Sequence, residues 1–221
     1  MKKINPKILV FGTGGHTKSV IKIIEDEAKW DIHGLLGDSE YLKEKDDIEI
    51  LGHRIVGYRN DISHLLQANI TDGFVAVGDN HLRAKIMNEL ISKGMKMSTI
   101  IHPDASVLND SPIGPGTMIH TKAIVGEDAT IGKGVIISAL AVVGHDSCIG
   151  DYAHLTPGVL LGGGVTIGDF SFLGLGAVVL PAVKIGKNVQ VGANSLVNKD
   201  LGDNVIAVGN PARVIRRTTP L

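Results

Sequence analysis

The sequence predicts two architectures in one chain. Residues 1–98 read as an α/β, Rossmann-like domain, and residues 99–221 as an all-β parallel β-helix of hexapeptide repeats with a C-terminal cap. Three observations carry this. Short apolar runs alternate with helix-spaced segments in the first part. From Ile101 onward an aliphatic residue recurs at every sixth position. Aromatic residues make up only 4% of the 221 while glycines number 28, so the core has to be built from Val, Ile, Leu and Ala, as in stacked repeats.

The N-terminal elements follow in order. "KILVF", residues 7–11, is a short apolar run ending in glycines, a buried strand. "TKSVIKIIEDEA" places Val20, Ile21, Ile23 and Ile24 at helical spacing. "DIHGLLGDS" is a second strand ending near Asp38, "ISHLLQ" a short helix and "DGFVAVGDN" a third strand. "HLRAKIMNELISKG" is a helix closed by Gly94. A small parallel sheet with helices packed on it is the expectation.

The turn Gly12-Thr13-Gly14-Gly15-His16 joins the first strand to the first helix. Glycines let a backbone approach an anion, and a helix N-terminus offers unpaired N–H groups. The dinucleotide fingerprint requires a glycine three residues after Gly14; Thr17 stands there, which argues against NAD. A nucleotide or nucleotide-sugar phosphate, or a tight turn without ligand, both fit. Asp38 follows the second strand, where a carboxylate meets a ribose or sugar hydroxyl or is simply solvated.

In the repeat, the aliphatic series runs Ile101, Val107, Ile113 and so on to Val197. Ten of its seventeen members precede a glycine, and Ala, Ser, Thr or Val stands four positions after each, Leu201 excepted. That fourth position and the next aliphatic residue are two apart, so both point inward and the residue between them points outward. The three residues after each aliphatic one form a turn, with its opening glycine expected to supply positive φ. Three hexads complete a triangular coil, stacking residues eighteen apart at about 4.8 Å. The unbroken register predicts no inserted loop.

This register places His145 and Asp146 together on a corner, in the column Glu127-Asp128, His145-Asp146, Gly163-Gly164, Pro181-Ala182. A carboxylate beside an imidazole orients the ring and favours its charged form, as at general-base sites. The glycines one coil on predict a gap admitting a thin substrate chain, with backbone N–H groups as oxyanion donors. His154 falls on an outward strand position with Phe172 one coil beyond, apart from His145. His102 and His120 are eighteen apart, but Ser138 ends their column, so no metal is expected. Cys148 has no histidine adjoining it in the coil and is not a nucleophile.

Net charge is −1, which gives no nucleic-acid footprint. The single cysteine excludes an intramolecular disulfide framework. The apolar run near the N-terminus is too short for a signal h-region, and no stretch reaches membrane-span length. The expectation is a cytoplasmic protein with no membrane or nucleic-acid partner.

With "FGTGGHTKSV", "VGDNHLR", "IHPDA", His145-Asp146 and "GNPAR" in place, nearly the whole chain resembles the bacterial sugar acetyltransferases of the left-handed β-helix superfamily. More narrowly it is similar to the nucleotide-amino-sugar N-acetyltransferases of bacillosamine and perosamine synthesis and to the sialic acid O-acetyltransferases. Left-handed winding comes from this resemblance, since period alone does not give it and it runs against the usual crossover rule. The resemblance implies acetyl-CoA as co-substrate, no metal, and transfer to the 4-amino group of a nucleotide-linked amino sugar in surface-glycan biosynthesis; O-acetylation of a sialic acid or another sugar is the alternative. It makes His145 the general base and Asp146 its orienting carboxylate. It puts His154 near the thioester, the Gly163 backbone at the acyl group, Leu175 and Ala193 along the pantetheine arm, and Pro211 and Arg213 (or Arg216) at the phosphate end. Gly14, Gly15, His16 and Asp38 would bind the nucleotide sugar. It further implies a homotrimer with clefts between subunits. Two other classes remain: a carbonic anhydrase of the same helix type, which needs three histidine zinc ligands, and a nucleotide-binding scaffold stapled by the β-helix.

Overall fold

The computed structural model describes residues 5–38, 49–59, 62–108 and 111–219. The chain divides into two compact units, Met1–Pro103 and Asp104–Leu221.

In the first unit, β1 (Lys7–Phe11), α1 (Gly15–Glu27), β2 (Asp31–Gly37), β3 (Glu49–Ile50), β4 (His53–Tyr58), α2 (Ile62–Gln67), β5 (Asp72–Val75), α3 (Asn80–Ser92) and β6 (Lys96–Met97) follow one another. The sheet order is β3-β4-β2-β1-β5-β6. All pairs are parallel except β3 with β4. β1 is buried along Ile8, Leu9, Val10 and Phe11, and α1 buries Val20, Ile21, Ile23 and Ile24. The chain moves outward from β1 on one side through β2 and β4, then returns to the other side at β5. The crevice beyond the carboxyl ends of β1 and β5 is therefore the topological switch point, where open parallel sheets bind ligands.

Strand β4 was not expected from sequence. Its burial alternates only weakly, because its outer neighbour β3 is two residues long and covers little of it. Asp79 caps α3 by accepting a hydrogen bond from the Leu82 amide at 2.7 Å.

In the second unit the hexad register holds throughout the described residues. Two-residue strands recur every six positions, and residues eighteen apart pair in parallel, as in Ile124↔Val142, Cys148↔Thr166 and His154↔Phe172. Three faces result. The first carries Ile124–Val125, Val142–Val143, Leu160–Leu161, Val178–Val179 and Leu196–Val197; the second Thr130–Ile131, Cys148–Ile149, Thr166–Ile167 and Lys184–Ile185. The third carries Met118–Ile119, Ile136–Ile137, His154–Leu155, Phe172–Leu173 and Gln190–Val191, continued by Val205–Val208 and the antiparallel strand Arg213–Arg217.

Both inward positions of the hexad are buried, for example Val143 with Ser147 and Leu155 with Val159. Where the inward residue is polar, the coil satisfies it. Ser147 Oγ donates to Gly162 O and accepts from the Val165 amide, and Ser171 does the same with Gly186 O and the Val189 amide.

The turns correct the expectation about their opening glycines. Positive φ falls on the third turn residue of every hexad from Ile113 to Val191, including Asp128 (56°), Asp146 (56°), Tyr152 (58°) and Gly164 (68°). None of the glycines directly after an aliphatic residue adopts it. Those glycines answer a steric demand instead. A Cβ on Gly132 would lie 2.8 Å from the Asp151 amide nitrogen, and one on Gly144 would overlap the Gly162 carbonyl of the next coil. Stacking pitch, not backbone dihedral, selects them.

Candidate active site

His145 stands on the edge between the first and second faces. The strand Val142–Val143 delivers it, and Asp146 follows in the left-handed conformation, which Asp tolerates better than most residues. That conformation brings the Asp146 carboxylate to His145, with Nδ1 to Oδ2 at 2.7 Å. A carboxylate only accepts, so Nδ1 carries the hydrogen and the Nε2 lone pair is left available. The hydrogen bond to Asp146, then the charge of Asp146, raise the His145 pKa above its ordinary value; Glu127 adds to this and partial desolvation opposes it. Both side chains are about two-thirds exposed.

The gap expected beyond His145 is filled by the imidazole itself. The ring leans over Gly163, so that a Cβ there would overlap Nε2. The missing side chain accommodates the imidazole. The Gly163 amide has no acceptor among the described residues, while Gly164 N donates to His145 O at 2.8 Å.

His154 keeps its place on the third face, in register with Phe172, but it is not solvated as an outward position suggests. It is 5% exposed, its Nε2 is 3.4 Å from Ser138 Oγ, and its ring meets Phe172 edge-on at 5.2 Å. Phe172 in turn lines a groove of about 340 Å³ with Thr156, Gly174, Leu175, Gln190, Gly192, Ala193 and Ile206. Leu175 and Ala193 are thus brought together, on the turns between the third and first faces. Phe172, Thr156 and Gln190 were missed as lining residues. An exposed aromatic in the outward column beside His154 was the available signal.

Ala212 is tied to the helix by its amide to Leu196 O, and the Asn210-Pro211 bond before it is cis. Arg213 opens an exposed strand and donates to Ala212 O. Arg216 pairs in register with Ile206, which lines the groove. Within one subunit the third face lies opposite the edge that carries His145. The structure therefore brings Leu175, Ala193 and Phe172 together, with His154 adjoining, and leaves His145 and Asp146 apart from them.

In the first unit, Gly12 needs to be glycine: its φ is 129° and a Cβ would sit 2.9 Å from Ala76 O. Gly14 and Gly15 are different. A Cβ on either would meet nothing within 4 Å. Gly14 is the N-cap of α1 without a side-chain cap, and the first turn carries no acidic residue. The helix end is open at the switch point, as anion binding requires. Thr17, in place of the third fingerprint glycine, is fully buried.

His16 lies against Gly78, with its Nε2 2.6 Å from where a Gly78 Cβ would be, and burial followed by the Arg83 charge lowers its pKa. Arg83 is fully buried and donates to Val77 O, Gly78 O and Asn80 Oδ1, holding the loop after β5. Sequence reasoning noted "VGDNHLR" without assigning these roles. Asp38 is neither free nor merely solvated: Arg59 pairs with it at 3.3 Å, directly after the paired residues Gly37↔Tyr58.

His102 is 3.3 Å from Asp26, and the His120 Nδ1 accepts from the Thr121 amide. Among the described residues no group of three His, Cys, Asp or Glu is placed to hold a metal, and no helix is long and apolar enough to cross a membrane.

Similarity to known proteins bears on the fold and on the class of activity. Residues 7–90 match the PglD N-terminal domain, and residues 128–163 and 164–199 match the bacterial transferase hexapeptide. No curated protein matches. Among solved structures, PerB of Caulobacter crescentus, a perosamine N-acetyltransferase in complex with CoA and GDP-perosamine, is 34% identical, with 94% of this chain and 96% of that one covered and a TM-score of 0.88. The acetyltransferase domain of PglB from Neisseria gonorrhoeae FA1090 is 30% identical over 96% of this chain and 100% of that one, with a TM-score of 0.86, and is also known with acetyl coenzyme A. With a PglD-type N-terminal domain, an unbroken hexapeptide prism and full-length similarity to these enzymes, the chain belongs to the sugar N-acetyltransferase family of the left-handed β-helix superfamily.

Proposed function

We propose that this chain transfers the acetyl group of acetyl-CoA to the 4-amino group of a nucleotide-linked amino sugar, with His145 as general base. The observation that carries this is the His145–Asp146 pair, whose ring lies over the bare Cα of Gly163, a residue whose amide has no acceptor among the described residues. A base, and an open amide on the next coil to serve as oxyanion donor, are what acyl transfer to an amine needs.

The amine nitrogen attacks the thioester carbonyl carbon and gives up its proton to Nε2. Asp146 holds the tautomer and stabilises the imidazolium. The Gly163 N–H faces the charge that develops on the carbonyl oxygen. The C–S bond then breaks, and the imidazolium returns the proton to the CoA sulfur. No covalent enzyme intermediate is needed.

The groove along Leu175, Phe172 and Ala193 suits a pantetheine arm, with His154 beside it and Pro211, Arg213 and Arg216 at its phosphate end. The open end of α1 at Gly14 and Gly15, with His16, suits the pyrophosphate, and Asp38 the ribose or sugar hydroxyls. Because His145 and the groove lie on opposite sides of one prism, the site is completed by a second copy. The first face supports this: Ile124, Val142, Leu160, Val178 and Leu196 form an outward aliphatic column, with Ile124 and Leu160 40% and 44% exposed. The assembly proposed is a trimer working in the cytoplasm.

The deciding experiment follows CoA release with a panel of nucleotide-linked 4-amino sugars on UDP, GDP and dTDP, with CMP-sialic acid and free sialic acid included. Turnover with one amino sugar is expected. Turnover with a sialic acid alone overturns the amine assignment.

A further inference from the structure

Gly163 has a second role, which rests on His145 being the base. We infer that Gly163 is a positioning residue: the space left by its missing side chain sets the pose of the His145 imidazole.

The three atoms nearest to a Cβ built on Gly163 all belong to that ring: Nε2, Cε1 at 2.6 Å and Cδ2 at 3.0 Å. Real Cβ atoms do not approach so closely, so any side chain here forces the ring to turn. No backbone atom competes for the same space as closely. This separates Gly163 from its neighbours. A Cβ on Gly162 would meet Pro181, and one on Gly144 the Gly162 carbonyl, so those glycines serve the stacking of coils. Gly164 has a φ of 68°, so its backbone favours glycine. Gly163 has no positive φ. Neither conformation nor coil packing demands a glycine at 163; the imidazole does.

The ring is thus held at two ends. Asp146 takes Nδ1 at 2.7 Å, and the bare Cα of Gly163 receives the Nε2 side. A methyl at 163 makes the two demands incompatible: the ring either leaves the Asp146 carboxylate or swings Nε2 away from the bare Cα of Gly163. In both cases the base loses the pose that the proposed reaction uses, while the groove along Leu175 and Ala193 on the opposite side is untouched.

The test uses full-length Gly163→Ala. A fall in kcat of about 10- to 100-fold is expected, the scale of an ångström-level misplacement, with the KM for acetyl-CoA changed less than about twofold. The melting temperature should stay near that of the parent. By NMR the His145 Cε1–H resonance should move and its titration midpoint fall, towards the value in Asp146→Ala, which lacks the carboxylate and keeps Gly163. In a His145→Ala background, Gly163→Ala should cost nothing further, because the group it displaces is gone. An unmoved His145 resonance and midpoint overturn the inference. So does an equal loss in the His145→Ala background, or a loss of fold, since either makes glycine a backbone requirement. Near-normal turnover in His145→Ala sinks the base assignment instead, and the NMR comparison still decides the ring pose.

Discussion

At the edge between the second and third faces, Lys133, Asp151, Asp169, Lys187 and Asp203 succeed one another along the prism. At the edge between the first and second faces, the same turn position holds Glu127, His145, Gly163 and Pro181. The backbone is the same at both. On the former edge each carboxylate reaches back to the coil before it: Asp151 Oδ1 accepts from the Lys133 amide, Asp169 from Asp151, and Asp203 from Lys187, at 2.8–3.0 Å. Ion pairs of Lys133 with Asp151 and of Lys187 with Asp169 run alongside. On the latter edge the amides of His145 and Gly163 have no acceptor among the described residues. An exposed amide is satisfied by water, so leaving it open costs little. The difference shows how one fold makes either a strut or an open edge: a carboxylate on the next coil closes the turn, and a residue that cannot accept, Gly163 or Pro181, leaves it open.

This contrast can be broken from either side. The largest effect is expected for His145→Ala, which should lower kcat about 10²- to 10⁴-fold with acetyl-CoA affinity and melting temperature nearly unchanged. Steady-state kinetics and a thermal melt check it. Gly163→Asp transplants the strut onto the site: its carboxylate would cap the His145 amide and displace the ring. Turnover should fall by at least about 10²-fold, without the loss of stability that a disrupted coil would bring.

Asp146→Asn should reduce the plateau kcat by about tenfold, the scale of one general-base contribution weakened rather than removed. It should also move the acid limb of the kcat profile. The carboxylate raises the His145 pKa, so in the parent the neutral base accumulates only as pH rises through that raised value. Removing the charge lets the base become neutral at lower pH, and the limb shifts down; an unmoved limb contradicts the role of Asp146.

On the strut edge, Asp151→Ala should leave turnover intact and destabilise by about 1 kcal/mol, one hydrogen bond from an amide to a carboxylate, read by chemical denaturation. Smallest of all, Lys187→Met removes an exposed ion pair and should change stability by less than about 1 kcal/mol, with the effect shrinking further in high salt.

The prism was legible in sequence because one environment repeats. Val143 and Ser147 face inward for the same reason as Leu155 and Val159, and each hexad corroborates the next. The pairing of His145 with Asp146 was legible too, since adjacency on a turn needs only the register. What stayed hidden depends on neighbours eighteen residues away or on side-chain torsion. The glycines after the aliphatic residues look like turn glycines, yet their cause is the carbonyl stacked above. The ring of His145 over Gly163 is a rotamer, which no period encodes. His154 is outward by register but buried by its surroundings. Strand β4 has a weak pattern because it is barely covered, and Asp38 meets Arg59 through the pairing of β2 with β4, which required that strand to be known.

The division of labour within the hexad has a consequence for how such a chain changes over generations. Two positions in six, the aliphatic residue and the small one four places on, are buried and carry the coil; the middle turn residue is nowhere buried among the described hexads, although third turn residues such as Tyr152 are. The first turn residue is often a glycine that stacking requires and the third takes positive φ, so mutations at the middle one are the most insulated from folding, and every coil offers three such addresses at which a residue can be tried. A reactive side chain can arise at one of them while the remaining coils hold the architecture in place. The prism supplies a lattice of spare sites, of which the His145 edge is the one proposed to be in use.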